Sequence, residues 1–116
     1  MTLNITAERR VDISDYGKGW DNCYLTVKSM NPKALKDWQE MVEAEQTGDE
    51  TIDSLYAEKL KTVLVGGVIM NTNDDGVAER YTIEPEDIAD VVEALGPVFK
   101  QRALMVAAGT YGLKGL

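Results

Sequence analysis

The chain contains no histidine and a single cysteine, Cys23. Without histidine it lacks the commonest general base and the commonest transition-metal ligand. A lone cysteine forms no internal disulfide, which fits a reducing compartment. With no imidazole to activate it, a nucleophilic role for that thiol is not expected either. Basic residues are in the minority, 12 against 20 acidic ones, giving a net charge of −8 and a pI near 4.4. Such a surface repels phosphate backbones, so nucleic acid is not an expected partner. Long hydrophobic runs are missing as well. The longest, residues 63–70, is too short to cross a bilayer and is broken by Gly66-Gly67. The opening Met1-Thr-Leu-Asn-Ile5 has neither the basic nor the apolar part of a signal peptide. The expectation is a soluble cytoplasmic protein with no membrane partner.

What is present suits one globular domain. The 116 residues are 44% hydrophobic and 28% charged, and chains of this size bury more than about 60% of their unfolded surface. Residues 1–108 are expected to form a single compact domain, with a glycine-rich C-terminal segment over 109–116. Val11 and Ile13 alternate with polar neighbours, as do Cys23, Leu25 and Val27, which is the two-residue period of half-buried strands. The turn formers of residues 14–22 between them suggest a hairpin that rests on helices, because a lone hairpin is marginal in water. Asn31-Pro32 reads as a helix start. Leu35, Trp38 and Val42 fall on one helical face, with Met41 beside them and Gly48 as a stop, and Trp38 is expected in the core. A second helix begins near Thr51, with Ile52, Leu55, Tyr56, Leu60, Val63 and Leu64 as its apolar stripe. Residues 68–70 either continue that helix or form a short extended piece. Glu84-Pro85 opens a third helix over 85–95, buried through Ile88, Val91, Val92 and Leu95 and closed by Gly96-Pro97. A fourth helix starts at Pro97 and ends near Gly109. The fold class expected is α+β, mostly helical, with about four helices and an N-terminal β-hairpin packed on them.

Little of this carries chemistry. Asn71-Thr-Asn-Asp-Asp-Gly76 resembles the start of a calcium-binding EF-hand loop. Its first position has lost its charge, however, and its twelfth, Thr82, cannot supply two carboxylate oxygens. A turn with positive φ at Gly76 accounts for the same residues. Glu86 and Asp90 share a helical face, but opposite Ile88, Val91 and Val92 they read as solvated, whereas acid–base work needs carboxylates that are buried or crowded. Gly17-Lys-Gly-Trp20 is too short for a phosphate loop. No catalytic residue, metal ligand or cofactor site is expected. The candidates for partner binding are aromatic and apolar side chains: Tyr16 and Trp20 in the hairpin loop, and Phe99, Leu104, Met105, Tyr111 and Leu113 on the last helix and the segment after it. Residues 109–116 hold three glycines and read either as a frayed end or as a segment that orders against a partner or a neighbouring copy.

The order of these elements resembles a known family. A strand with Val11-Asp-Ile13, a Tyr16-Gly17 loop and a second strand Tyr24-Leu-Thr-Val-Lys28 precede Pro32 and an amphipathic helix. A second helix runs into Val65-Gly-Gly-Val-Ile-Met-Asn71. Asp74-Asp-Gly76 and Tyr81-Thr-Ile-Glu-Pro-Glu-Asp-Ile88 then lead to Val91-Val-Glu-Ala-Leu95. Over about residues 9–108 this layout resembles the small tail assembly chaperones of long-tailed bacteriophages and of their relatives in Gram-positive prophages. The resemblance implies a non-enzymatic role in the host cytoplasm: coating the tape measure protein, recruiting tail tube subunits, and self-associating into a homo-oligomer. Two other roles suit the composition. One is a structural head or tail subunit that closes a ring. The other is a small acidic inhibitor of a host nucleic-acid-binding enzyme.

Overall fold

The computed structural model describes residues 7–44 and 49–109. Its centre is a four-stranded antiparallel sheet in sequential order: β1 (Glu8–Asp12), β2 (Tyr24–Lys28), β3 (Leu64–Thr72) and β4 (Ala78–Thr82). Helices α1 (Pro32–Ala44) and α2 (Asp49–Val63) are inserted between β2 and β3, and α3 (Ile88–Ala94) and α4 (Pro97–Ala108) follow β4. The α+β class and the helices are as the sequence implies. The strands are not confined to an N-terminal hairpin, because residues 64–82 form a second hairpin that doubles the sheet.

Alternation decides which way the sheet faces. Val11 of β1 and Ile13 just after it, and Leu25 and Val27 of β2 with Cys23 just before it, are buried. They meet Leu60 and Val63 of α2, Val91 and Val92 of α3, and Ala103, Leu104 and Ala107 of α4 in one core. Burying side chains of this size contributes roughly 1.5–3 kcal/mol each. The opposite face carries polar residues in register, Arg10 with Thr26 and Asp12 with Tyr24. There the Arg10 guanidinium lies 3.9 Å over the Tyr24 ring.

The β2–β3 ladder holds one irregularity. Leu25 faces Gly67 and Thr26 faces Gly66, but Val27 faces Leu64, so Val65 is an extra residue. This is a β-bulge, which turns the start of β3 out of α2. Gly67 has a φ of 138° and lies against the β2 backbone, a conformation and an approach that only glycine accommodates.

The local signals act as their chemistry dictates. The Asn31 Oδ1 accepts the Ala34 N–H at 2.8 Å, an N-cap for α1. Pro97 opens α4, and Gly109 closes it in the left-handed region with φ 83°. The Asn73 Oδ1 accepts the N–H groups of Asp75 and Val77 at 2.9 and 3.0 Å, and Gly76 has φ 82°. Residues 73–77 are therefore a hairpin turn. An EF-hand loop joins helices and turns its oxygens on a cation. Here the segment joins strands, and the Asn73 oxygen is committed to its own backbone. Glu84-Pro85 opens not α3 itself but a single 3-10 turn, Pro85–Asp87, that leads into it. The expected helix stop at Gly48 lies outside the described residues.

Candidate functional site

Two places gather the side chains proposed for binding, and they are separate. The first is the joint between the β1–β2 loop and α4. Tyr16 stacks on Trp20 with ring centroids 4.4 Å apart and meets Phe99 at 4.3 Å. Its hydroxyl accepts the Gly96 N–H at 3.1 Å. The Arg102 guanidinium grips the Asp15 carboxylate through two bonds of 2.6 and 2.9 Å, donates to the Asp12 carbonyl, and lies 4.8 Å from the Phe99 ring centroid. That guanidinium holds the Asp15 carboxyl below its usual range. Tyr16, Trp20 and Phe99 are thus half-buried in a stack that fastens the hairpin loop to the helices, and Tyr16 and Trp20 also line a pocket of about 190 Å³ with Ile69, Met70, Val91 and Leu95. Aromatic pairs of this kind contribute about 0.5–1.5 kcal/mol beyond the area they bury.

The second place is a groove of about 390 Å³ where α1 crosses α2 and α4. One wall is Leu35, Trp38, Gln39 and Glu43 of α1. The other is Gln101, Leu104, Met105 and Ala108 of α4, with Tyr56 of α2 beneath. The Trp38 and Tyr56 rings meet at 5.7 Å. Trp38 is 8% exposed, so it belongs to the core as expected, yet it also forms the groove wall. Leu104 is nearly as buried at 3%, whereas Met105 is half-buried at the rim. Both residues come to this groove. Phe99 does not, because it lies on another side of the same helix. Tyr111 and Leu113 lie outside the described residues.

Several titratable groups tie neighbouring elements together. The Asp87 carboxylate accepts the Tyr81 hydroxyl at 2.5 Å and the Glu84 N–H at 2.9 Å, closing the turn before α3. These two donors, the hydroxyl first, hold Asp87 below its usual range, and the carboxylate in turn pushes the Tyr81 hydroxyl up. Lys61 and Glu93 tie α2 to α3 at 2.7 Å, which raises the amine and lowers the carboxyl. Lys100, 4% exposed, donates to both Asp53 carboxylate oxygens at 3.2 and 3.1 Å. Cys23 is buried at 1% exposure on the apolar face of the sheet. Among the described residues no three of Asp, Glu and Cys converge as a metal site, and no helix is long and apolar enough to cross a membrane. Comparison with protein-family models, curated proteins and solved structures finds no match to this chain.

Proposed function

We propose that this is a non-enzymatic protein-binding protein of phage tail assembly, acting in the host cytoplasm as a chaperone of the tape measure protein and helping to recruit tail tube subunits. The observation that carries the reading is the groove between α1 and α4. Its lining of Leu35, Trp38, Tyr56, Leu104 and Met105 suits the apolar stripe of a helix. Met105 at the rim supplies a side chain that adapts to varied sequence. The net charge of −8 keeps such a complex soluble.

The test is co-expression with the tape measure protein, followed by size-exclusion chromatography with light scattering. The expected result is a soluble complex, lost when Met105→Glu places a charge at the groove rim. A complex indifferent to Met105→Glu places the contact elsewhere, and no complex at all refutes the reading. A ring-forming structural subunit is the second reading, favoured by one observation. Strand β4 is exposed along its whole length at the sheet edge, where a neighbour's strand can add. The same chromatography separates the two, because a ring of fixed stoichiometry forms without any tape measure protein.

A further inference from the structure

We propose, resting on the ring-forming reading above, that the two edges of the sheet recognise each other: β1 of one copy adds antiparallel to β4 of the next. Both edge strands are five residues long. They run in opposite directions within the sheet. A second copy laid beside the first therefore continues the sheet with its helices on the same face.

The open backbone groups are in phase. The Asn73 N–H donates to the Val77 carbonyl and the Ile83 N–H to the Gly67 carbonyl. Residues 77, 79, 81 and 83 thus bond inward to β3, and Ala78, Arg80 and Thr82 turn their backbone groups outward. At the other edge the Ser29 N–H donates to the Ala7 carbonyl and the Ile13 N–H to the Cys23 carbonyl, which leaves Glu8, Arg10 and Asp12 facing outward.

Side chains then choose the register. Full overlap of β1 with β4 sets Arg10 against Arg80. An offset of two residues one way needs the Asp12 carbonyl, which Arg102 already holds. The offset the other way puts Glu8 opposite Arg80, Arg9 opposite Glu79 and Val11 opposite Val77. Two opposite-charge pairs form, one on each face of the sheet. Val77, 53% exposed, gains an apolar neighbour. Arg9 lies on the helix side, where it donates to the Val106 carbonyl, and Glu79 shares that side with buried Ile83. The Glu8 and Glu79 carboxylates are exposed and make no ion pair among the described residues. Arg80 already donates to the Asp21 carbonyl, so Arg9 and Glu79 are the stronger pair. Self-pairing is disfavoured, because full overlap sets Arg80 against Arg80 in β4 and Arg10 against Arg10 in β1. A contact between unlike edges is heterologous, so copies add until the rotation closes.

Cross-linking between copies tests the contact in a Cys23→Ala background, with Arg9→Cys and Glu79→Cys on separate chains. Within one chain these positions lie three strand spacings apart, about 14 Å, too far for a disulfide. Mixed under mild oxidation, they are expected to cross-link about tenfold faster than Arg10→Cys with Glu79→Cys, whose side chains leave opposite faces. Equal rates overturn the inference, and so do Glu79→Cys homodimers that outpace the mixed pair. Sedimentation velocity on the natural sequence separates the inference from the reading it rests on. Assembly is expected to rise with concentration. Arg9→Glu or Glu79→Arg alone should weaken it about tenfold, and the two together should restore it. A chain that stays monomeric overturns the inference and the ring reading together. A chain that assembles despite either reversal overturns the inference alone and leaves the ring to another contact.

Discussion

Gly67 is the position where one added carbon should cost the most. A Cβ built there overlaps the Tyr24 carbonyl oxygen and stands 2.8 Å from the Leu25 Cα, both backbone atoms of the neighbouring strand. Neither can move aside as a side-chain tip does, because Leu25 is fully buried and β2 is held on both edges. The φ of 138° adds strain of its own for any residue with a Cβ. An unfavourable backbone region costs about 1–3 kcal/mol, and forcing volume into a packed site costs a further ~1–3 kcal/mol. Gly67→Ala should therefore destabilise the domain by about 2–6 kcal/mol, a large share of the ~5–15 kcal/mol that holds a typical domain together. Gly66 is the internal control. A Cβ there stands 3.8 Å from the Ile83 carbonyl oxygen, an ordinary contact. Gly66→Ala should stay within about 1 kcal/mol of the parent in either direction. Urea unfolding followed by far-UV circular dichroism makes the comparison. With a slope of ~1–3 kcal/mol per molar urea, the Gly67 variant's midpoint should fall on the order of 1–3 M. Equal midpoints for the two variants would refute the close approach of β2 and β3 at Gly67.

Two further predictions concern the polar contacts of the helical layer and of the turn before α3. Asp53→Ala strands the nearly buried Lys100 ammonium and should cost about 1–3 kcal/mol, less than a fully buried pair because Asp53 is itself more than one-third exposed. Lys100→Met keeps the apolar stem and removes the charge, so urea midpoints should place it within about 1 kcal/mol of the parent. A Lys100→Met variant as unstable as Asp53→Ala would show that the ion pair itself, not the stranded charge, carries the stability. Tyr81→Phe deletes the hydroxyl that does most to lower the Asp87 pKa, so the Asp87 carboxyl should titrate closer to its ordinary value when followed by NMR. The folded state binds the Asp87 proton more weakly than the unfolded chain does. Its stabilisation is thus complete above the ordinary aspartate range and fades as pH falls through the lowered value. Tyr81 runs the opposite way: its pKa is raised, so its share is complete below the ordinary tyrosine range and fades as pH rises through the raised value. The stability gap between parent and Tyr81→Phe should therefore be widest near neutrality and narrow toward both extremes. A gap that widens in acid would contradict the pairing.

The sequence declares an element wherever one face of it is buried and the other is not. Val11 and Ile13, then Cys23, Leu25 and Val27, alternate because β1 and β2 rest on the helices with one side only. Leu55, Leu60 and Val63 repeat at helical spacing for the same reason on α2. Asn31, Pro97 and Gly109 mark helix ends because they meet stereochemical needs independent of the rest of the fold. The second hairpin escapes this logic. The apolar run of residues 64–70 does not alternate, since Gly66, Gly67 and the bulge at Val65 interrupt the period. A short continuous apolar run does not distinguish strand from helix. Strand β4 is exposed along its length, so Ala78, Glu79, Arg80, Tyr81 and Thr82 carry no hydrophobic pattern. Their signal is the turn before them: Asn73 through Gly76, rich in Asn, Asp and Gly, is a hairpin signature.

The groove leaves no mark in the sequence, for a different reason. Leu35 and Trp38 on α1, and Leu104 on α4, obey the same periodicity whether a helix face is closed by the fold or left partly open. Composition does not separate a core from a cleft lined by core residues. What separates them is how many neighbours reach that face, and this depends on how the segments around α1 are placed. The β1–β2 loop illustrates the converse. Tyr16 and Trp20 look like surface anchors in a polar loop, yet Phe99 and Gly96 on the far side of the sequence absorb them. Those aromatics join loop and helices and also line a smaller pocket with Ile69, Met70, Val91 and Leu95, apart from the groove between α1 and α4.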